Sequence, residues 1–417
     1  MKLHPMIAAL RKHKAGVMLI ALQIAVTLAI VCNATFIIGQ RIDRVNRLTG
    51  LDESDLFLIE QRWADAPNGS DSASVEKLDA MQRNDLAVLR KLPEVASVAA
   101  ISTLPLTNNG RYDGIYLRPD QHDKTTDAAI YRGGEQILST LGLRLIAGRD
   151  FTAADVQHQG IRSTQKPVSV IVDKALADKL YPHGDALGKA IYLDIGATPT
   201  TIIGMVERLQ TPHVGGEEGD VPAYNSLIEP LRRDYHSTQY AVRAKPGREQ
   251  AAMRAARTAL YAADPLRVID DKYGVRAFSE IRANAYQGDI GMAVLMGAVC
   301  LILLGITALG IVGLTSFWVG QRQRQIGIRR ALGARKQDIL RYFQAENLII
   351  AGGGAGLGIL LAIGLNLWLI TRYEMDRIPV TYVLVSLLVV LVLGQLAVLA
   401  PARRASNVPP VVATRNI

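Results

Sequence analysis

"IGMAVLMGAVCLILLGITALGIVGLTSFWVGQ", residues 290–321, decides the fold class, because its 32 residues carry no charge. A helix rises about 1.5 Å per residue and a hydrocarbon core is about 30 Å thick, so roughly 20 apolar residues cross it. The run is longer than a crossing requires, and its excess is expected to project beyond the bilayer as a stalk. Residues 15–40, 347–371 and 378–402 are also free of charge, over 26, 25 and 25 residues. The expected fold class is an integral membrane protein with four transmembrane α-helices. A large mixed α/β extracytoplasmic domain lies between helices 1 and 2.

The first run is too long for a cleavable leader, whose apolar region spans roughly 7 to 15 residues. No A-x-A cleavage pattern follows it, and Cys32 is preceded by Ile30 and Val31 where lipoprotein processing requires a small residue. The run is read as an uncleaved anchor.

Charge sets the orientation. The chain carries 47 Lys and Arg against 38 Asp and Glu, a net charge of +9, but the excess is local. Residues 1–14 hold Lys2, Arg11, Lys12 and Lys14 with no acid. Residues 320–346 hold seven basic residues against two acids, and the tail holds Arg403, Arg404 and Arg415 with none. Residues 41–289 hold 31 basic and 34 acidic residues, net −3. Basic loops stay on the cytoplasmic side, so both termini and the 320–346 loop of this multi-pass plasma-membrane protein are expected in the cytoplasm. The basic balance thus reports topology. The external segment offers no basic excess for nucleic acid, which is excluded as a partner. Membrane lipid is the expected surrounding.

The expected order is a cytoplasmic N-terminus (1–14), helix 1 (15–40), external domain (41–288), helix 2 (289–319), cytoplasmic loop (320–346), helix 3 (347–371), short external loop (372–377), helix 4 (378–402) and cytoplasmic tail (403–417). Both cysteines, Cys32 and Cys300, fall in predicted spans. The external domain must therefore hold together by core burial without disulfides.

Within that domain, "SVEKLDAMQRNDLAVLRKLPEV" predicts a helix with Leu78, Met81, Leu89 and Leu92 on one face, ended by Pro93 and followed by a strand over 95–101. "SVIVDKALADKLYP" predicts a buried strand feeding a helix capped by Asp173 and stopped at Pro182. "GKAIYLDIG" and "TTIIGMVERL" predict a strand pair, and "GREQAAMRAARTALYAADP" an amphipathic helix with Met253, Ala256, Leu260 and Ala263 inward. Glycine and polar residues predict loops over 157–166 and 210–220.

Catalytic chemistry finds little support. His122, His158, His183, His213 and His236 lack metal-ligand spacing and are read as exposed loop residues, so no metal site is expected. Glu217, Glu218 and Asp220 are read as a solvated acidic loop. There is neither a G-x-S-x-G elbow nor a G-x-x-x-x-G-K-[ST] phosphate loop. No catalytic residue, and no cofactor in this chain, is expected.

The ordered pieces "LRKLPEVASVAAIS", "EQILSTLGLRLIAGRDF", "VSVIVDKALADKLYPHGDALGKAIYL", "TTIIGMV" and "YAVRAKPG", followed by "RQRQIGIRRALGARKQDILRYFQAE" and "PARRASNVPPVVATR", resemble the MacB/FtsX-like permeases of ABC transporters over nearly the whole chain. Gln325 stands where the family usually has a glutamate. The resemblance implies a dimerising permease, as a homodimer or paralogous heterodimer, that works with a cytoplasmic ABC ATPase and transmits motion to its external domain. With the first span starting at residue 15, that ATPase, which binds the ATP, is expected on another polypeptide. A periplasmic adaptor is a further implied partner. Export of an antibiotic, peptide or other periplasmic substrate is the leading reading. Lipoprotein release and FtsX-like signalling to a cell-wall hydrolase are the alternatives.

The resemblance also gives a role to the short loop. Ile328 and Leu332 fall one turn apart, as do Ile339 and Phe343, with Gly333 between the pairs. A helix lying at the membrane surface accounts for one apolar face. A coupling helix in an ATPase groove accounts for that face and for the Gly333–Ala334 break, where backbones approach closely. The expected coupling residues are Ile326, Gly327, Ile328, Arg329, Arg330, Ala331, Leu332, Gly333 and Ala334. Gly352, Gly354, Gly356 and Gly358 have small-xxx-small spacing, for packing within the subunit or at a dimer seam.

Overall fold

The computed structural model describes residues 14–67, 71–160, 163, 165–194, 198–214, 222–373 and 376–407. The basic residues before Lys14, the acidic loop at 217–220 and the tail beyond 407 lie outside the described residues. The chain divides into two compact units, Arg47–Gln287 and a second made of Met1–Asn46 with Gly288–Ile417.

In chain order, α1 (Lys14–Val45) precedes β1 (Leu56–Trp63), α2 (Ser72–Arg90), β2 (Val95–Ile101), β3 (Arg111–Ile115), β4 (Thr126–Arg132), α3 (Ile137–Leu141), β5 (Leu145–Gly148) and β6 (Gln157–Gly160). Next come β7 (Ser169–Asp173), α4 (Lys174–Leu180), β8 (Ala190–Ile191), β9 (Thr200–Val206), β10 (Ser226–Glu229), β11 (Leu231–Asp234), β12 (Ser237–Ala244), α5 (Glu249–Ala263), β13 (Arg267–Val268) and β14 (Val275–Ala277). The chain continues through α6 (Phe278–Gln321), α7 (Gln323–Ala331), α8 (Lys336–Tyr373) and α9 (Val380–Ser406).

The unit Arg47–Gln287 is mixed α/β, with two large sheets and a two-stranded one, β11-β6, among the described residues. One has the order β13-β1-β12-β2, with β14 also on β1, and is antiparallel. Phe57, Ile59, Val98, Tyr240 and Val242 of this sheet pack against Leu86 and Leu89 of α2 and Ala252, Ala256 and Leu260 of α5. The other sheet has the order β3-β4-β10-β7-β9-β5, and α4 covers Ile130, Val170, Val172, Ile202 and Leu227 with Leu176, Ala177 and Leu180. Two apolar cores therefore supply the burial that a cysteine-free domain needs.

Asp173 caps α4 as its sequence predicts, accepting from Leu176 N at 2.7 Å and from Ser226 N at 3.2 Å. Burial pushes its carboxyl up to about 7 against the opposing pull of those backbone donors.

Several details differ from the apolar pattern. On α2 the buried face is Leu78, Asp79, Gln82, Asp85, Leu86 and Leu89, while Met81 and Leu92 are only half-buried. The cause is a buried ion pair. Asp85 takes Arg267 through two bonds of 2.8 Å and Tyr240 Oη at 3.0 Å, with the Arg267 and Asp85 side chains 0% and 1% exposed. A partner nearly two hundred residues away turns polar positions inward, and helical periodicity cannot register it. On α5, Ala252 is buried and Ala263 exposed, because Ala252, Ala256 and Leu260 form a straight i, i+4 row. Residues 157–160, expected as loop, form β6 by parallel pairing with β11. His158 is therefore in a strand, and His213 is half-buried, its Nδ1 3.0 Å from Tyr112 Oη. The "GKAIYLDIG" strand is confined to Ala190 and Ile191, which pair with β9.

In the other unit α1, α6, α8 and α9 are each long and apolar enough to cross a membrane. At 44 residues α6 is about 66 Å long, twice a hydrocarbon core. Polar side chains join the helices. Thr27 and Thr307 hydroxyls are 2.7 Å apart, Gln23 Nε2 donates to Ile306 O at 3.1 Å, Asn33 Nδ2 to Ala362 O at 3.2 Å, and Asn347 Nδ2 to Gly394 O at 3.1 Å. In hydrocarbon such bonds replace partners that water would otherwise provide.

Candidate functional site: a moored loop helix with an exposed apolar pair

The basic loop folds into α7, a tight reversal, and the start of α8. The reversal is a Schellman motif. Ala334 N donates to Arg329 O at 3.0 Å and Gly333 N to Arg330 O at 3.1 Å, with Gly333 at φ 94°. The next helix opens with a reciprocal cap, in which Arg335 N donates to Asp338 Oδ2 at 2.9 Å and Asp338 N to Arg335 O at 3.0 Å. A Cβ on Gly333 would meet nothing within 4 Å. Its glycine is thus required by the left-handed backbone, and the close approach expected there does not occur within this chain.

Two anchors hold α7 against its own unit. Ile326 is 6% exposed and shares a core with Ile339 and Phe343 of α8 and Ala402 and Ala405 of α9. Arg322, just before α7, reaches both oxygens of Glu346 at 3.0 Å, with side chains 13% and 3% exposed. Arg329 lies over the Tyr342 ring at 5.1 Å from its centroid.

These anchors sort the nine coupling candidates. Ile326 and Gly327 face inward and serve the chain's own fold. Arg330 and Ala334 are half-buried. Ile328, Arg329, Ala331, Leu332 and Gly333 are exposed, Ile328 by 45% and Leu332 by 83%. The two apolar pairs that look equivalent in sequence therefore part company: Ile339 and Phe343 are core, while Ile328 and Leu332 form an apolar step on an arginine-rich surface. Arg322, Tyr342 and Glu346 were missed by sequence reasoning. Arg322 and Glu346 meet across two helices, which leaves no local signal.

The glycines separate similarly. A Cβ on Gly354 would come within 2.7 Å of Ala21 O, and one on Gly358 within 2.9 Å of Ala25 O, so this row seats α1 against α8. Gly352 and Gly356 would meet nothing and are exposed.

Among the described residues no group of three or more His, Cys, Asp or Glu is placed to hold a metal ion. The model of the MacB-like periplasmic core domain matches residues 17–260, more than half of the chain, and that of the FtsX-like permease C-terminal domain matches residues 296–410. This chain belongs to the MacB/FtsX-like permease family. Among curated relatives of this permease is the macrolide export ATP-binding/permease protein MacB of Bartonella henselae, 25% identical over 81% of this chain and 48% of that protein. MacB 2 of Aeromonas hydrophila is 25% identical over 99% of this chain and 59% of that protein. The permease thus spans about half the length of the curated relatives it matches. The crystal structure of the periplasmic region of MacB from Actinobacillus actinomycetemcomitans aligns with 58% of this chain and 97% of that one, at 16% identity and a TM-score of 0.32.

Proposed function

We propose that this permease couples ATP hydrolysis by an ABC ATPase to movement of its external domain, driving export of an antibiotic, peptide or other periplasmic substrate. These 417 residues contain no G-x-x-x-x-G-K-[ST] phosphate-binding loop, and in this reading the ATPase acts on them from the cytoplasmic side. The observation that carries the reading is the Ile328–Leu332 step. It is exposed, it sits on a helix fixed by Ile326 and the Arg322–Glu346 pair, and arginines surround it. A rigid, apolar, preformed helix end suits insertion into a groove on a partner. A helix lying in the lipid interface would have no need of such mooring to the reversal and to α8.

In this reading the basic loop faces the cytoplasm and the exposed Gly352–Gly356 row faces a second permease. The test uses a chain whose Cys32 and Cys300 are replaced. Asp271→Cys, at a fully exposed position of the external unit, should react with an impermeant thiol reagent in cells with a permeabilised outer membrane. Gln337→Cys should be shielded from it and should crosslink to the co-expressed ATPase. Labelling at position 337 from outside would overturn the orientation and the coupling together.

A further inference from the structure

α1 and α6 are the two spans through which the chain leaves for Arg47–Gln287 and returns from it. They are held very differently. Near the end of α1, Phe36 packs edge-on against Tyr382 of α9 with ring centroids 5.4 Å apart, and the Thr35 and Ser386 hydroxyls are 3.3 Å apart. Gln40 Nε2 donates to Asp376 Oδ2 at 3.0 Å. With the Gly354 and Gly358 row of α8 against its backbone as well, α1 is a fixed post.

α6 is the least buried of the four spans. Over residues 288–306 only Asp289 and Cys300 are buried, and the half-buried residues between them are Ala293, Met296 and Gly297. Their spacing keeps one face toward a neighbour, but three of these five side chains are small. Cys300, Met296 and Leu304 share a core with just Val31 and Ala34 of α1. Between helices in lipid such contacts have no hydrophobic drive and rest on van der Waals packing alone.

One carboxylate adds what that stripe lacks. Asp289 is 6% exposed; Arg41 Nη1 donates to its Oδ1 at 2.5 Å, and Arg44 Nη1 lies 3.6 Å from the same oxygen. Arg41 and Arg44 are three residues apart and so share a face of α1. The next polar ties from α6 to α1, Ile306 O with Gln23 and Thr307 with Thr27, lie about 26 Å further along the helix.

We propose that Asp289 is a latch: its ion cluster with Arg41 and Arg44 holds the 288–306 half of α6 on α1, and breaking it frees that half to swing while the rest of the bundle stays assembled. The Arg41 and Arg44 side chains are 34% and 32% exposed, so both can turn to water when the carboxylate withdraws. That the swing passes motion to the external unit rests on the proposed function above; the latch itself is a property of this chain alone.

The experiment uses the full chain in lipid nanodiscs without any ATPase, so that it is blind to whether coupling is right. Cys32 and Cys300 are replaced, and spin labels are placed at exposed positions in two pairs: Val294→Cys of α6 with Val380→Cys of α9, and Ile42→Cys of α1 with Val380→Cys. Distance distributions are read by double electron–electron resonance. Both pairs should be narrow in the otherwise unaltered chain. Asp289→Asn should widen the 294–380 distribution about twofold or more, since small-residue packing alone then holds that half of α6. The 42–380 pair should keep its width, and the unfolding temperature should fall only slightly. Asp289→Arg, which sets three guanidiniums together, should widen 294–380 further, and Arg41→Asp combined with Asp289→Arg should narrow it again by restoring opposite charges. The proposal is overturned by a 294–380 distribution that is broad from the start or unchanged in Asp289→Asn and Asp289→Arg. Widening of both pairs together would make the cluster ordinary packing and overturn it too, as would a charge swap that does not narrow the distribution. If Asp289→Asn fails to fold, Asp289→Arg against the swap decides; failure of all three to fold would place the cluster in the core of the bundle and overturn the latch.

Discussion

Replacing both Ile328 and Leu332 with alanine tests the coupling helix most directly. Full burial of an Ile or Leu side chain contributes about 1.5–3 kcal/mol. Ile328 is 45% exposed and Leu332 83%, so docking has about 1 kcal/mol left to gain from the first and about 2 from the second. The double variant should lose most of this, or roughly 100-fold in affinity, from a contact whose total is about 8 kcal/mol if micromolar. Leu332 adds little to the chain's own fold and the already covered part of Ile328 adds about 1 kcal/mol, so the unfolding temperature should fall only slightly. Ile326→Ala is the contrast: at 6% exposure it empties part of the core shared with Phe343 and should cost about 2–5 kcal/mol of stability. Ile328→Asp should be harsher than alanine, since docking would bury an unpaired carboxylate at a cost of several kcal/mol. The assay is ATPase affinity and permease-dependent turnover in nanodiscs, beside thermal unfolding of each variant. Unchanged affinity and turnover in the double-alanine variant, with normal folding, would refute the reasoning and leave the loop as a basic topological anchor.

Gly354→Leu or Gly358→Leu should lower the yield and thermal stability of the solubilised chain, since a Cβ at either position runs into the α1 backbone. Gly352→Leu and Gly356→Leu should leave those unchanged; crosslinking between copies that they abolish would place a second permease on that face. Asp85→Ala should destabilise the external unit by about 3–5 kcal/mol by leaving Arg267 charged and unpaired in the core, readable as earlier loss of Trp63 fluorescence. Asp173, with a folded pKa of about 7 against about 3.9 unfolded, holds more proton folded than unfolded between those values. Its contribution therefore falls as pH rises from about 4 to about 7, by up to roughly 4 kcal/mol. The stability of Asp173→Asn relative to wild type should accordingly rise across that window in urea melts, and a flat difference would contradict it.

Four charge-free runs and one long polar insertion leave few architectures open, because a bilayer demands length and apolarity and both are written locally along the chain. Local chemistry also determined the α4 cap at Asp173 and the break at Gly333, each of which depends only on bonds within a few residues. What needed the tertiary structure was any choice settled by a distant partner. Asp85 turns inward because Arg267 waits there, and residues 157–160 become a strand because β11 lies alongside. Gly352 and Gly356 have the same spacing as Gly354 and Gly358, but α1 occupies only the row of Gly354 and Gly358. The loop's two apolar pairs repeat the same pattern, yet packing against α9 claims Ile339 and Phe343 and leaves Ile328 and Leu332 outside. Periodicity states which residues share a face; only the neighbours packed on that face decide whether it is core or surface.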